Sequence, residues 1–535
     1  MNCLQQTTRS DRQGSILLTV LVVVVLLTLT GLKYYEWSFA EARATRSAIR
    51  QTQTRLNAES GVEFIKFMLL EDAATISSLG GLANNPAQFQ GVLLQDSDAA
   101  ALRSRFTVIA PAINNGEYEG IRFGLEDESS RLNLNALLVA DARQPDANIG
   151  RNMLMGLPGM TESIADAILD WIDSDDQPRA LGAEADYYSS LPTPYAPQNG
   201  PLESLDQLLL VRDVTPTLLY GADRNRNGVI DNGESATLAV DTYDNVDGRL
   251  NRGWAAYLTL YSAEKNFRAD GRPKIDVNQE DLQTLQTELL EVFSSEQANF
   301  ILAYRQGGAY DDEQTDDAQQ APPQGGSSNA EQTASADAIT IDFDAGGSVP
   351  VENVLDLVGT KTRVTEKGKT ARTVVETPFP NDPAAMTTFL PLLMDNLTAT
   401  GETVVPGRLN INQAPRVLLQ GIPAMPPEIV EQIISLRDFE PLPDNPNRNY
   451  ETWLLVEGLV TLEQMKQLMP LLNAGGDVYR AQIVGYFEAD GPATRLEVLV
   501  DNTGVLPEMR WTTDLTPLGV GFNTMVLGSE ALPTP

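Results

Sequence analysis

The chain has 535 residues, with 73 acidic against 38 basic side chains and a formal charge of −35. Such a surface repels nucleic acid and anionic lipid, and it draws divalent cations or basic partner faces. There is no histidine and one cysteine, Cys3, which excludes internal disulfides, Ser–His and Cys–His catalysis and most His- or thiolate-bound metal, leaving carboxylates, the ligands of hard cations such as calcium.

From Ile16 to Leu32 only Thr19, Thr28, Thr30 and Gly31 interrupt an apolar run. As a helix this run spans about 26 Å, close to the hydrocarbon core of a bilayer. A secretory signal ends in a small-residue cleavage site just past its apolar region. The local candidate, Ala40-Glu41-Ala42, lies beyond Lys33, Glu36 and Trp37. The segment that follows keeps helical spacing, with no proline before Pro86 and only Gly61 weakening it. One helix from Ser15 to about Leu70 is therefore predicted, roughly 80 Å long at the usual rise. Arg9 and Arg12 precede the run while Lys33, Arg43, Arg46 and Arg50 follow it, so flanking charge alone leaves the orientation open.

A short polar leader ending in Gly14, a greasy half-helix and an amphipathic half-helix resemble the type IV pilin and pseudopilin family. That resemblance implies cleavage by a prepilin peptidase after Gly14, with Ser15 as the mature amino terminus. Most members carry Glu at mature position five, where this chain has Thr19. In that family the Glu is thought to neutralise the amino group of the subunit ahead. Its loss suits a subunit with none ahead, and it matches the K-type minor pseudopilins of type II secretion. The implied partners are I- and J-type minor pseudopilins and the secretion assembly platform. The implied location is the inner membrane, with the bulk of the chain in the periplasm.

Further on, "GEYEGIRFGLEDESSRLNLNALL" alternates as a strand and turns helical at Asn135. Near the end, "YRAQIVGYFEADGPATRLEVLVD" reads as a hairpin turning at Gly491-Pro492, with Leu496, Val498 and Val500 inward and Arg495, Glu497 and Asp501 opposite. The two regions are expected to share a sheet packed on the long helix, with a largely helical insertion between them.

That insertion contains a duplication, "GLPGMTESIADAILDWID" from Gly156 and "GIPAMPPEIVEQIISLRD" from Gly421. Each copy follows an Arg–Leu–Asn stretch, "SRLNLNALL" or "GRLNINQAP", and "RPKIDVNQEDL" at Arg272 is a third relative of that stretch. "LPGMTESIADAIL" looks like a helix-hairpin-helix, whose loop amides meet phosphate in nucleic-acid binders. Glu162, Asp166, Asp170 and Asp173 flank this loop, and Ala424 replaces Gly159 in the second copy. A protein-contact module is therefore expected, with no nucleic-acid partner. K-type pseudopilins are similar in carrying a helical insertion, and "ILDWIDSDD", "GAEADYY" and "PYAPQNGPLESLDQL" resemble that family.

The expected fold class is α+β: a pilin-like long helix on an antiparallel sheet, with insertions made of two helix-hairpin-helix or SAM-like repeats. The expected divisions are a leader (1–14), the membrane half of the helix (15–35), its remainder with the first strands (36–135) and a first helical insertion (136–305). An acidic disordered linker (306–345), a second helical repeat (346–475) and the final strands (476–535) follow. The linker's core, Asp311 to Ala336, has no large apolar residue.

"DRNRNGVIDNGE" matches a twelve-residue calcium loop. Asp223, Asn225 and Asn227 fall at positions 1, 3 and 5, and Gly228 takes the sharp turn at 6. Val229 offers its carbonyl at 7, Ile230 packs at 8, Asp231 sits at 9 and Glu234 closes at 12. Two Asn in place of Asp point to weak affinity, about 10⁻⁴ to 10⁻³ M. A second acidic group, Asp173, Asp175, Asp176, Glu184 and Asp186, resembles the stretch with which K-type pseudopilins bind calcium. Asn396-Leu397-Thr398 fits a glycosylation acceptor.

The reading is a non-enzymatic minor pseudopilin that initiates or caps the tip of the secretion pseudopilus. Two rivals remain: a membrane-tethered, competence-type DNA receptor built on helix-hairpin-helix units, and a secreted carboxylate-dependent enzyme cut after Ala42.

Overall fold

The computed structural model describes residues 13–143, 148–231, 234, 250–310, 332–367, 372–440, 445–489 and 491–528. Most of the leader and most of the expected linker core lie outside them.

The first element is a single helix, Gln13–Leu69, so the cut expected at Gly14 falls in its first turn. From Ile16 to Leu32 its apolar side chains are all exposed, and it is long and apolar enough to cross a membrane. The hydroxyls of Thr28 and Thr30 donate to the carbonyls of Val24 and Leu26, four residues back. That satisfies them without water. Past the run, Ala58, Val62, Ile65, Met68 and Leu69 recur three and four apart and are buried.

These residues pack on an antiparallel sheet. Its strands run in the order Val92–Gln95, Ser104–Asn114, Val478–Phe487, Thr494–Asp501 and Glu508–Asp514. Glu117–Phe123 pairs with the second of these and Glu126–Asp127 with the central one, Val478–Phe487. Early and late strands thus share one sheet, with Phe106, Val108, Ile483, Leu496, Val498 and Val500 against the helix. Two glycines let helix and sheet approach closely: a Cβ on Gly61 would lie 2.6 Å from Ile483 Cγ2, and one on Gly485 would collide with the Thr54 carbonyl oxygen.

The opposite face is not solvated, contrary to the simple alternation. Arg495 is 1 % and Asp501 4 % exposed, because the insertion and the chain end cover that side. Buried ion pairs seal the junction. Arg480 on the central strand holds Glu128 through bonds of 2.9 and 2.5 Å, and Arg131 holds Glu126 through bonds of 3.1 and 2.7 Å. Asp127 accepts from the backbone N–H groups of Ser129 and Gly476 and from Asn410 Nδ2, at 2.7 to 2.8 Å.

Among the described residues the insertion holds three closed units, where the sequence suggested two. Each opens with a two-residue strand and closes with another that pairs parallel to it. The pairs are Leu132–Asn133 with Leu258–Thr259, Ile275–Asp276 with Leu397–Thr398, and Leu409–Asn410 with Leu472–Asn473. In every opener the first polar side chain accepts from the backbone N–H two residues on: Asn133 from Asn135, Asp276 from Asn278, Asn410 from Asn412. That second Asn then clamps the unit shut. Asn135 bonds Leu202 and Leu260, Asn278 bonds Val351 and Ala399, and Asn412 bonds Arg448 and Ala474. The stretch at Arg272 is therefore the start of a complete unit, and its hairpin helices are Leu282–Leu290 and Ser295–Gly307. All three units contribute to one apolar core, distinct from that between helix and sheet.

The expected linker is shorter than its composition suggested. Gln332–Ala334 pairs with Arg372–Val375, and Ala336 is fully buried. Asn396 is 7 % exposed and donates to the carbonyl of Leu392, so the glycosylation triplet is enclosed.

Candidate cation sites in the first unit

The loop from Asp223 follows the short helix Pro216–Tyr220. Asp223 Oδ1 and Oδ2 accept from the backbone N–H groups of Asn227 and Gly228 at 3.1 and 2.9 Å. Asn225 Oδ1 accepts from Asn227 N, and Asn227 Oδ1 from Val229 N, at 3.0 and 2.7 Å. These Asx turns wind the chain tightly, and Gly228 supplies the turn at φ +71°. Glu234 reaches back, taking Arg224 N at 2.9 Å on Oε1 and Asp231 N at 3.3 Å on Oε2. Asp231 Oδ2 accepts from both Asn225 Nδ2 and Asn227 Nδ2. Asp223, Asn227 and Glu234 are buried.

The donor set fits a hard cation, since carboxylates and amide oxygens gather on one tight loop whose hydrogen-bond donors are backbone and amide N–H groups, with the Arg252 guanidinium 4.0 Å from Asp223 Oδ2. Ile230 departs from expectation: it is exposed rather than packed. Asn232 and Gly233 lie outside the described residues.

Fifty residues upstream a second cluster forms. Among the described residues, Asp170, Asp173 and Glu184 are the acidic group whose ligand atoms come within 4.8 Å of one another. Asp170 and Asp173 lie one turn apart at the end of the helix Glu162–Ile172, and Glu184 returns to them as the N-cap of Ala185–Ser189. A Cβ at Gly182 would collide with the Asp170 carboxylate, so only glycine lets the returning loop come this close. Arg179 donates to Asp170 Oδ1 at 2.7 Å and to Asp173 Oδ2 at 2.5 Å. Glu184 is 4 % exposed, and neither carboxylate oxygen has a hydrogen-bond partner. Burial, then the charges of Asp170, Asp173, Asp176 and Asp175, push its carboxyl up to about 7. An orphaned, enclosed carboxylate beside two others fits a cation ligand.

This cluster corrects the sequence-based set. Asp175, Asp176 and Asp186 are exposed and stand outside it. Asp176 accepts from Asn199 Nδ2 at 2.8 Å. Asp170, absent from the sequence-based set, belongs to the cluster, and its spacing from Asp173 places both on one helical face. Asp166 and Asp170 are fully buried, and Asp166 is bound by Arg151 at two distances of 2.7 Å. They are not the solvated repulsive face assumed for the helix-hairpin-helix. What occupies the hairpin instead is another unit: a Cβ on Gly156 would lie 3.1 Å from Gly421 Cα.

A long helix laid on an antiparallel sheet, with helical units inserted between early and late strands, defines a pilin-like protein with an enlarged head. Residues 130–221, most of the first unit's helices, match the family model described as type II secretion system (T2SS), protein K. The chain is 28 % identical over 222 residues to the type II secretion system protein K of Pectobacterium carotovorum subsp. carotovorum, a match over 39 % of this chain and 61 % of that relative. It is also similar to a chain in the crystal structure of the GspK-GspI-GspJ complex from the enterotoxigenic Escherichia coli type 2 secretion system. That likeness has a TM-score of 0.36 and 12 % identity over 89 % of this chain and 99 % of the other.

Proposed function

We propose that this protein is a non-enzymatic minor pseudopilin at the tip of the type II secretion pseudopilus, where it initiates or caps assembly for export across the outer membrane. The observation that carries this reading is the division of one helix into a fully exposed apolar half and a half packed on the sheet. Such a half needs lipid or neighbouring helices around it. In this reading prepilin peptidase cuts between Gly14 and Ser15, and the inner membrane holds the apolar half with the sheet and units in the periplasm. The helix then joins those of I- and J-type subunits on the assembly platform. Thr19 in place of a carboxylate suits a subunit with no amino group ahead of it to neutralise.

Amino-terminal sequencing of the membrane-extracted protein tests this. A start at Ser15 is expected. A start at Arg43 would make it a secreted protein and overturn the reading.

Calcium, in this proposal, is held by Asp223, Asn225, Asn227, the Val229 carbonyl, Asp231 and Glu234, and separately by Asp170, Asp173 and Glu184. A bound ion neutralises carboxylates that the fold brings together. Isothermal titration should lose one equivalent of calcium in Asp223→Ala and one in Glu184→Gln, and unchanged stoichiometry in either variant removes that site. DNA binding is disfavoured by the burial of the Gly156 hairpin against its counterpart. A salt-sensitive gel shift would reverse that judgement.

A further inference from the structure

The Asp223–Glu234 loop belongs in sequence to the first unit, yet it reaches across to the sheet and the chain end. From the central strand, Gln482 Nε2 donates to the carbonyl of Arg226 at 2.7 Å. From the neighbouring strand, Arg495 donates to the carbonyl of Asn225, and Asn227 Nδ2 donates to the carbonyl of Gly521. Residues 515–528 lie as a strap over the far side of the sheet. Leu515 N bonds the Arg495 carbonyl at 2.8 Å, and Arg495 N bonds Thr516 Oγ1 at 3.1 Å. At its other end Leu527 is fully buried with Ile109, Val484 and Tyr486, and its carbonyl accepts from Thr107 Oγ1 at 2.7 Å.

Arg495 is enclosed where loop and strap meet. It is 1 % exposed, and its Nε and Nη1 have no partner. Gly521 crosses it at φ +75°, and a Cβ there would collide with the guanidinium. Burial draws the guanidinium below its usual range, while Asp223, Glu497 and Asp231 pull it back. Two of those three carboxylates belong to the loop.

We infer that cation binding in the Asp223–Glu234 loop governs docking of the 515–528 strap on the sheet. This deepens the proposed calcium reading and rests on it. Without an ion, the mutual repulsion of Asp223, Asp231 and Glu234 is offset only in part by Arg252 and Arg495, and opening the loop displaces all three outward contacts together. With an ion, the Asn225 and Arg226 carbonyls and the Asn227 amide are fixed where Arg495, Gln482 and Gly521 meet them. Linkage then requires a docked strap to tighten cation binding by the same factor.

Hydrogen exchange on the full chain in detergent, in millimolar calcium or in chelator, reads this directly. Calcium is expected to slow exchange across 515–528 by about fivefold or more, and the effect should vanish in Asp223→Ala. Leu527→Asp, which releases the strap at the end remote from the loop, should weaken calcium binding to the loop by a similar factor. Gly521→Ala is the substitute should that variant fail to fold. Equal strap exchange with and without calcium, in a protein whose loop still takes up the ion by titration, overturns the coupling and leaves the calcium reading intact. Equal calcium stoichiometry in wild type and Asp223→Ala removes the calcium reading and the coupling with it.

Discussion

Gly156 and Gly421, equivalent glycines of the first and third units, pack backbone to backbone. A Cβ on Gly156 would lie 2.6 Å from the Val417 carbonyl oxygen, and one on Gly421 would lie 2.8 Å from that of Met153. Both have negative φ, −66° and −77°, so space and not backbone freedom is what each position requires. The contact is reciprocal, as in a two-fold interface between copies. Gly156→Ala and Gly421→Ala should each cost about 1–3 kcal/mol by overpacking. The double variant should cost less than their sum, since the first methyl already parts the units. Urea denaturation of the four proteins reads the coupling.

The clamping asparagines make a graded prediction. Asn135 and Asn278 each make three hydrogen bonds, whereas Asn412 makes two and its Oδ1 has no partner. Asn135→Ala and Asn278→Ala should each cost about 1–3 kcal/mol by stranding buried backbone groups. Asn412→Ala should cost less than either, and thermal midpoints will order them.

Asp127 ties the sheet to the third unit, and burial pushes its carboxyl from the ordinary 3.8 up to about 6, against the pull of its N–H donors. Its contribution to stability is therefore full below pH 3.8 and is lost as pH rises to about 6. Asp127→Asn does not titrate. Relative to that variant, the wild type should lose on the order of 3 kcal/mol over this interval. Urea midpoints at several pH values for both proteins measure the difference, and parallel profiles would refute it.

Glu184→Gln should act in opposite directions with and without metal. In chelator it removes an enclosed charge that has no hydrogen-bond partner and faces Asp170 and Asp173, so its thermal midpoint should rise above that of wild type. In calcium it has lost a charged ligand, so it should gain less than wild type does. An equal calcium-induced shift in both proteins would exclude Glu184 from the site.

Much of this was legible in the sequence because it is set locally. The unbroken apolar run fixed a long helix, and the alternation around Val498 fixed a strand with one apolar face. The spacing from Asp223 to Glu234 fixed a tightly wound loop, as Asx turns span only two residues. None of these depends on distant neighbours.

The tertiary structure decided what covers each face and which remote groups meet. Arg495 and Asp501 sit where alternation predicts solvent, yet loop and strap enclose Arg495, and Tyr261, Thr503 and Arg510 bond Asp501. Asp170 reads as an ordinary helical acid until the chain turns past Gly182 and brings Glu184 back to it. The unit beginning at Ile275 became recognisable only when Leu397–Thr398 closed on it. Local sequence sets which conformations are open to each segment, but burial and charge pairing depend on contacts between segments far apart in the chain, and those exist only once the whole is folded.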